Sequence, residues 1–200
     1  MATLILDPHL EKRFRDEYPD RFRETWDGVD TLPPTPNTEH QRLVVQFSSV
    51  FSAVIDWDRG DSCFPGANLS DRADGWAQNY RCPDVLVYLS GNPAVDHDTH
   101  WVGGPDFLVE IISEGEDPHA KFAFYAAVNT REVLVVERNP WALELFTLVN
   151  GALVSAGRSE LANGLVLTSD ALGLTFKLVA GSPRPKVEVT HPASGKRWVV

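Results

Sequence analysis

The apolar positions of residues 38–56 recur at the spacing of an α-helix. Intervals of three and four residues separate Leu43, Phe47, Val50, Phe51 and Val54. Residues at these intervals share one face, so the segment predicts an amphipathic helix that buries this face. Asn37 or Thr38 can cap its start, which places Glu39 and His40 in the first turn.

Two short apolar runs predict buried central strands. They are Val85–Leu89 and Phe107–Ile112, which are rich in branched side chains and bounded by Pro or Gly. Runs of this length and composition are typical of strands that are covered on both faces. The polar segment 91–104 separates the two runs.

The rest of the pattern alternates helices with strands and hairpins. Near the N-terminus it predicts a helix over residues 7–19, a strand and turn over 22–30, and an extended segment over 32–37, where prolines exclude helix. Residues 57–81 are expected to form a loop with one short strand at Cys63–Phe64, and 117–129 a second helix. Further strands are predicted at 132–137, 142–149, 152–154, 165–167 and 174–178. Beyond Pro185, a C-terminal hairpin is expected to pair with a sheet edge or a second subunit.

These elements predict an α/β (α+β) fold, with a central mixed β-sheet flanked by helices and extra β-hairpins. No internal repeat or sharp boundary divides the 200 residues. We therefore expect a single domain over residues 1–200.

Charge narrows the classes of function. Lys and Arg total 18 against 28 Asp and Glu, which gives a formal net charge of −10. This excludes a protein that coats nucleic acid non-specifically, because such binding depends on Lys and Arg that neutralise phosphates. An acidic protein can still act on DNA through a small local site.

The cysteines and the N-terminus point to a cytoplasmic protein. Cys63 and Cys82 lie 19 positions apart and predict free thiols rather than a disulfide framework. The N-terminus does not have the pattern of a signal peptide. No apolar run approaches the roughly 18 residues of a membrane-spanning helix, so no membrane contact is expected.

Two carboxylates in the apolar strands are the unusual feature of the sequence. Asp84 stands directly before Val85–Leu89, and Glu110 stands inside Phe107–Ile112. Unpaired buried charge is expensive, and carboxylates in adjacent strands repel each other unless a positive group lies between them. Mg²⁺ commonly binds through one or two carboxylates. Considered alone, Asp84 could equally cap a strand or turn, and Glu110 could face solvent at a sheet edge.

Lys121, on the next predicted helix, can serve such a site. Asp117, Lys121 and Tyr125 are spaced four apart and are predicted to line one helix face. A lysine there could offset phosphate charge or steer a water, and Glu39 could supply a further carboxylate. This combination suits metal-assisted phosphodiester hydrolysis. The plain alternatives are a solvated Asp117–Lys121 pair and a Glu39 that is favoured only by the helix dipole.

The order of these residues along strand, strand and helix resembles that of the Uma2 (DUF820) family of restriction-endonuclease-like proteins. The resemblance covers roughly residues 24–178 and leaves 179–200 as a C-terminal hairpin extension. The matching segments are Pro36–Arg42, Pro83–Val85, Pro105–Ser113, the Asp117/Lys121/Tyr125 series, Arg131–Leu148 and Gly164–Phe176.

The resemblance implies the PD-(D/E)XK nuclease core and assigns roles to residues of this chain. Asp84 and Glu110 would be ligands of Mg²⁺ or Mn²⁺, together with the backbone carbonyl of Ile111. Lys121 would act as the catalytic lysine, and Glu39 would be the helix-borne carboxylate. One departure is Ile112, which occupies the position where the general nuclease motif has its lysine. The role of that lysine therefore moves to Lys121 on the helix.

The resulting hypothesis is a metal-dependent endonuclease that acts on nucleic acid, with DNA favoured as the substrate. A homodimer is expected, because the edge strands need cover. Positive surface near the cleft would come from Arg42, Arg59, Arg72, Arg81, Lys121 and Arg131.

Other classes of function stay open. The main alternative is a catalytically silent nuclease-fold protein that serves as a binding or assembly module. A zinc site at His97 and His100, with Asp96 beside them, falls short of the four ligands of structural zinc. A serine hydrolase built on Ser113 has no nucleophile elbow around the serine.

Overall fold

The structure is a computed structural model that describes residues 24–31, 35–113 and 115–200. The helix predicted over residues 7–19 and the start of the extended segment over 32–37 lie outside the described residues. Neither α-helix of the described part is long and apolar enough to cross a membrane.

Two α-helices and short strands make up the described chain. The helices are α1 (Thr38–Ser52) and α2 (Phe122–Ala127). In chain order the strands are β1 (Glu24–Trp26), β2 (Val29–Thr31), β3 (Ser62–Pro65), β4 (Leu69–Ser70), β5 (Tyr80–Arg81), β6 (Val85–Tyr88), β7 (Val95–Asp96), β8 (Trp101–Val102), β9 (Phe107–Ile111), β10 (Glu132–Arg138), β11 (Trp141–Val149), β12 (Ala152–Ser159), β13 (Leu167–Ser169), β14 (Leu174–Val179), β15 (Lys186–His191) and β16 (Lys196–Val199).

The central sheet is mixed, as predicted. Its six strands follow the order β12-β11-β10-β9-β6-β3. Strands β9 and β10 are parallel, and the segment between them carries α2. The neighbouring pairs β6–β9 and β10–β11 are antiparallel. As a result, the start of β6 and the ends of β9 and β10 meet at one edge of the sheet.

Both faces of the central sheet are buried. Phe107, Val109 and Ile111 belong to the core cluster that also contains the inner face of α1. Leu108 belongs to a second cluster, together with side chains of α2. Because side chains alternate along a strand, Glu110 shares the face of Leu108 and points toward α2.

Two smaller sheets flank the central one. One has the order β2-β1-β5-β4-β8-β7, and the other has the order β13-β14-β15-β16. The expectation of a loop over 57–81 was therefore only partly correct, since this segment contains β4 and β5 besides the predicted strand. The polar segment 91–104 contains β7 and β8. Strands of two residues are too short to produce an alternating pattern, so the sequence does not reveal them.

The two predicted helices that fall within the described residues are shorter in the structure. The first ends at Ser52 rather than at residue 56, and the second covers only Phe122–Ala127 rather than 117–129. Before α2, Asp117 accepts a hydrogen bond from the His119 N–H at 2.9 Å, which makes a turn instead of a helix. The prediction that Asp117 shares a helix face with Lys121 and Tyr125 was therefore wrong, and its side chain is 63% exposed.

The C-terminal hairpin is formed by β15 and β16. Strand β15 also pairs with β14, so the hairpin continues the sheet that β13 and β14 begin. Val187 and Val189 are fully buried in the same cluster as α1. The predicted extension therefore contributes to the core beneath α1, while the single domain over residues 1–200 stays a prediction.

Candidate active site

The register of two strands brings Asp84 and Glu110 together. Strands β6 and β9 pair with Val85 opposite Val109 and Leu86 opposite Leu108. One further step places Asp84 opposite Glu110, and residues directly opposite each other on an antiparallel pair have Cβ atoms roughly 5 Å apart. Both residues line a pocket of about 70 Å³ at this edge of the sheet.

One backbone donor and one histidine ring contact the Asp84 carboxylate. The backbone N–H of Ile111 donates to Oδ2 at 2.7 Å, and Nε2 of His40 lies 3.2 Å from Oδ1. The N–H and C=O of one strand residue point to the same side of the strand. The carbonyl of Ile111 therefore faces the side of β9 on which Asp84 lies.

Glu110 is held by Lys121 and Tyr125, which lie four residues apart. Nζ of Lys121 lies 3.2 Å from Oε1 of Glu110, and the Tyr125 hydroxyl donates to the same oxygen. Lys121 is the residue directly before α2, and its C=O accepts the Tyr125 N–H at 3.0 Å. This first helical bond fixes both side chains over the end of β9.

Glu24 completes the cluster and was missed by the sequence interpretation. Its Oε1 lies 2.8 Å from Nζ of Lys121 and accepts the Cys82 N–H at 2.9 Å. The Trp26 indole N–H donates to Oε2, also at 2.9 Å. A glutamate in a three-residue strand gives no sequence signal for a partner far along the chain.

Burial and neighbouring charges shift the ionisation of this cluster. Burial, with the charges of Asp84 and Glu24, raises the pKa of Glu110 to about 7 against the opposing effect of Lys121. Burial also acts on Glu24, but the attraction and hydrogen bond of Lys121 outweigh it and lower the pKa of that carboxyl. Desolvation of Lys121 is outweighed by Glu110 and Glu24, which raise its pKa. The lysine is therefore held as a cation between two glutamates.

Glu39 is not brought into this cluster. Its Oε1 lies 3.1 Å from Nε of Arg184, and its Oε2 lies 3.6 Å from Nη1 of Arg138. His40 lines the pocket in its place. The helical spacing contains this signal, because His40, Leu43 and Phe47 follow one another at intervals of three and four, which puts His40 on the buried face and Glu39 beside it.

The donor set fits a cation that keeps several waters. Asp84, Glu110 and the Ile111 carbonyl are oxygen ligands of the kind that Mg²⁺ and Mn²⁺ prefer. Across the described residues, no group of three or more His, Cys, Asp or Glu side chains is arranged to hold a metal. A centre here would therefore rely on two carboxylates, the carbonyl and water.

The zinc alternative has no support in the described segments. The rings of His97 and His100 stack at 5.0 Å between centroids, and His100 also stacks on Trp76 at 4.7 Å. These contacts use the histidines as flat aromatic rings. Both Cys63 and Cys82 are free, as predicted.

The expected basic surface is only partly available. Arg81 is buried, with its guanidinium over the rings of Trp26 and Phe124. Arg131 pairs with Asp106 at 2.8 Å, at the opposite end of β9. Arg42 and Arg59 are exposed. The six residues named from the sequence therefore do not gather around one site.

The central sheet is mixed, and a cluster of carboxylates and a lysine lies at the end of β9 and the start of β6. Together they define a nuclease-like α+β fold. The chain belongs to the Uma2 family, whose model, described as "Putative restriction endonuclease", matches residues 11–179. This confirms the family resemblance inferred from the sequence.

A solved structure has a similar fold. It is the crystal structure of a "putative nuclease belonging to DUF820" from Anabaena variabilis ATCC 29413, with a TM-score of 0.60 and 14% sequence identity. The match covers 76% of this chain and 83% of that chain. At this identity the similarity shows the fold alone, and it confirms the predicted fold class. No curated protein matches the chain.

Proposed function

We propose that this protein is a divalent-metal-dependent endonuclease that hydrolyses phosphodiester bonds in nucleic acid, with DNA as the favoured substrate. One observation carries the proposal: Asp84, Glu110 and Lys121 come from separate elements of the fold and line one pocket. Membership of a family described as "Putative restriction endonuclease" supports the same class of reaction.

The charge of the cluster supports a divalent cation. Glu24, Asp84, Glu110 and Glu116 contribute four negative charges to the pocket when ionised, and Lys121 contributes one positive charge. The remainder is three negative charges, which a divalent ion would reduce to one. Without such an ion, the raised pKa of Glu110, about 7, lets the site reduce its charge by binding a proton.

Asp84 and Glu110 would hold the cation, together with the Ile111 carbonyl. When bound, Mg²⁺ or Mn²⁺ supplies a water of lowered pKa and offsets charge on the phosphate. The protein's own side chains would position the phosphate and the attacking water.

Lys121 has the position needed to act on the scissile phosphate. Its side chain is 16% exposed, so the ammonium lines the pocket but is largely shielded from solvent. There it can donate to a phosphate oxygen or orient the attacking water. Glu24 also lies 2.8 Å from the ammonium, so Lys121 does not depend on Glu110 alone for its position.

A second candidate function is a catalytically silent binding or assembly module. The observation that favours it is the pairing or burial of Arg72, Arg81 and Arg131, three of the six basic residues that were expected to contact a phosphate backbone. A homodimer and a cytoplasmic location also stay predictions.

Nicking of supercoiled plasmid DNA in Mg²⁺ or Mn²⁺ tests the proposal. We expect the wild-type chain to nick the plasmid and EDTA to abolish the activity. Asp84→Asn, Glu110→Gln and Lys121→Met should each lose it. The matched control is Glu132→Gln, because Glu132 is a buried glutamate (4% exposed) that pairs in register with Phe107 at the other end of the sheet.

Retained activity in Glu110→Gln would overturn the assigned site. A wild-type chain that binds the plasmid without nicking it in either metal would favour the binding module.

A further inference from the structure

A buried histidine at the pocket is not used by the proposed reaction. His40 is 7% exposed and lies on the first turn of α1, where the Asn37 side chain accepts its backbone N–H at 2.9 Å. The ring lines the pocket, and its Nε2 lies 3.2 Å from Oδ1 of Asp84. We propose that His40 is a positioning residue that fixes the orientation of the Asp84 carboxylate for the cation. This inference rests on the proposed metal centre.

Each oxygen of the Asp84 carboxylate has a different neighbour. Ile111 fixes Oδ2 through its backbone N–H at 2.7 Å, and His40 faces Oδ1. A carboxylate held by one donor can rotate about the bond to that oxygen, whereas two donors from different elements fix its plane. Removing His40 would therefore leave the hydrogen bond from the Ile111 N–H intact, but the Asp84 carboxylate would be free to rotate.

The surroundings of the other ring nitrogen indicate which nitrogen of the imidazole carries the proton. Nδ1 of His40 is buried and has no hydrogen-bond partner among the described residues. If that nitrogen carried the proton of a neutral ring, the lone pair of Nε2 would face the Asp84 carboxylate oxygen 3.2 Å away, an acceptor against an acceptor. The favoured tautomer therefore carries its proton on Nε2 and donates it to Asp84.

The two carboxylates of the site then have equivalent support. Tyr125 and Lys121 hold Glu110, and Ile111 and His40 hold Asp84. Groups that orient metal ligands in this way typically contribute about 10- to 100-fold to metal affinity. His40 acts through Asp84 and needs no bond of its own to the cation.

Calorimetric titration of the full chain with Mn²⁺ tests the proposal. His40→Leu removes the donor and should raise the Mn²⁺ dissociation constant about 10- to 100-fold. His40→Gln places an amide N–H near the position of Nε2 and should restore most of the affinity. His100→Leu is the matched control, because His100 is also buried (5% exposed) and has an unpartnered Nε2, but it does not line the pocket.

The outcomes separate this inference from the proposed function. If the wild-type chain binds no Mn²⁺, the metal centre itself is overturned. If the wild type binds Mn²⁺ and His40→Leu binds it equally well, only the role of His40 is overturned. Equal weakening in His40→Leu and His40→Gln would also contradict a role through the Nε2 donor. Should His40→Leu fail to fold, His40→Asn replaces it, because its shorter amide does not reach Asp84.

Discussion

Glu24→Gln provides a direct test of how the buried cluster is held together. The substitution preserves the size of a side chain that is 3% exposed and removes the charge that lies 2.8 Å from Nζ of Lys121. Breaking a buried ion pair costs about 3–5 kcal/mol when the partner is left alone. Lys121 keeps Glu110 as a partner, so we expect a smaller loss, close to that of a hydrogen bond to a charged group, about 2–3 kcal/mol.

Urea unfolding at pH 7 measures this loss. We expect a lower midpoint with an unchanged slope, and a melting temperature lower by about 5–10 °C for a chain of this size. Asp117→Asn is the control, because Asp117 lies 3.6 Å from His119 at an exposed site, with side chains 63% and 58% exposed. That pair should contribute only about 1 kcal/mol or less.

The sign of the pH dependence adds a second criterion. Because the pKa of Glu24 is lowered from its ordinary value of 4.5 in the folded chain, its stabilisation is present above pH 4.5 and is lost as the pH falls through the folded value. The difference between wild type and Glu24→Gln should therefore shrink in acid. A difference below about 0.5 kcal/mol at pH 7, or one that grows in acid, would refute the stabilising contact between Glu24 and Lys121.

Two further predictions concern Glu110 and a close approach of the backbone. Because the pKa of Glu110 is raised to about 7 from 4.5, its favourable contribution is present below pH 4.5 and is lost as the pH rises through 7. In metal-free buffer the wild type should therefore lose stability relative to Glu110→Gln across this range, by up to about 1.4 kcal/mol per pH unit, and a constant difference in urea melts would contradict the shift. Gly104→Ala should cost about 3 kcal/mol or more, since the added Cβ would lie 2.3 Å from the backbone N of Thr130. Gly91→Ala, where nothing lies within 4 Å of the added Cβ, should cost only about 1–2 kcal/mol for its positive φ, and equal losses in thermal melts would contradict the clash.

The sequence predicts the central elements because their patterns are long and physically unambiguous. Continuous apolar runs identified β6 and β9, and the spacing of Leu43, Phe47 and Phe51 identified α1. The order of Asp84, Glu110 and Lys121 then indicated the site. These residues lie at the ends of neighbouring elements, so their positions follow once the elements are known.

The remaining parts depend on contacts that leave no local pattern. Strands β4, β5, β7 and β8 have two residues each, so only their partners reveal them. Asp117 and Pro118 form a turn before α2, and a helical spacing of four residues does not distinguish that turn from a first helical turn. Glu24 meets Lys121 only because of the tertiary fold.

The choice between Glu39 and His40 was available from the sequence. The resemblance to the family implies a role for the Glu39 carboxylate, whereas the apolar spacing of α1 places His40 on the buried face. The structure pairs Glu39 with Arg138 and Arg184 and places His40 beside Asp84. The periodicity of the helix was the better guide to which residue faces the pocket.

The most direct test of the central claim is a crystal of the full chain soaked in Mn²⁺ and measured for anomalous scattering. We expect one strong peak between Asp84 and Glu110, with carboxylate oxygens of both residues at about 2.1–2.2 Å and Lys121 still in contact with Glu24. Absence of a peak at this position, with Lys121 and Tyr125 alone on Glu110, would contradict the claim that these two carboxylates hold a divalent cation.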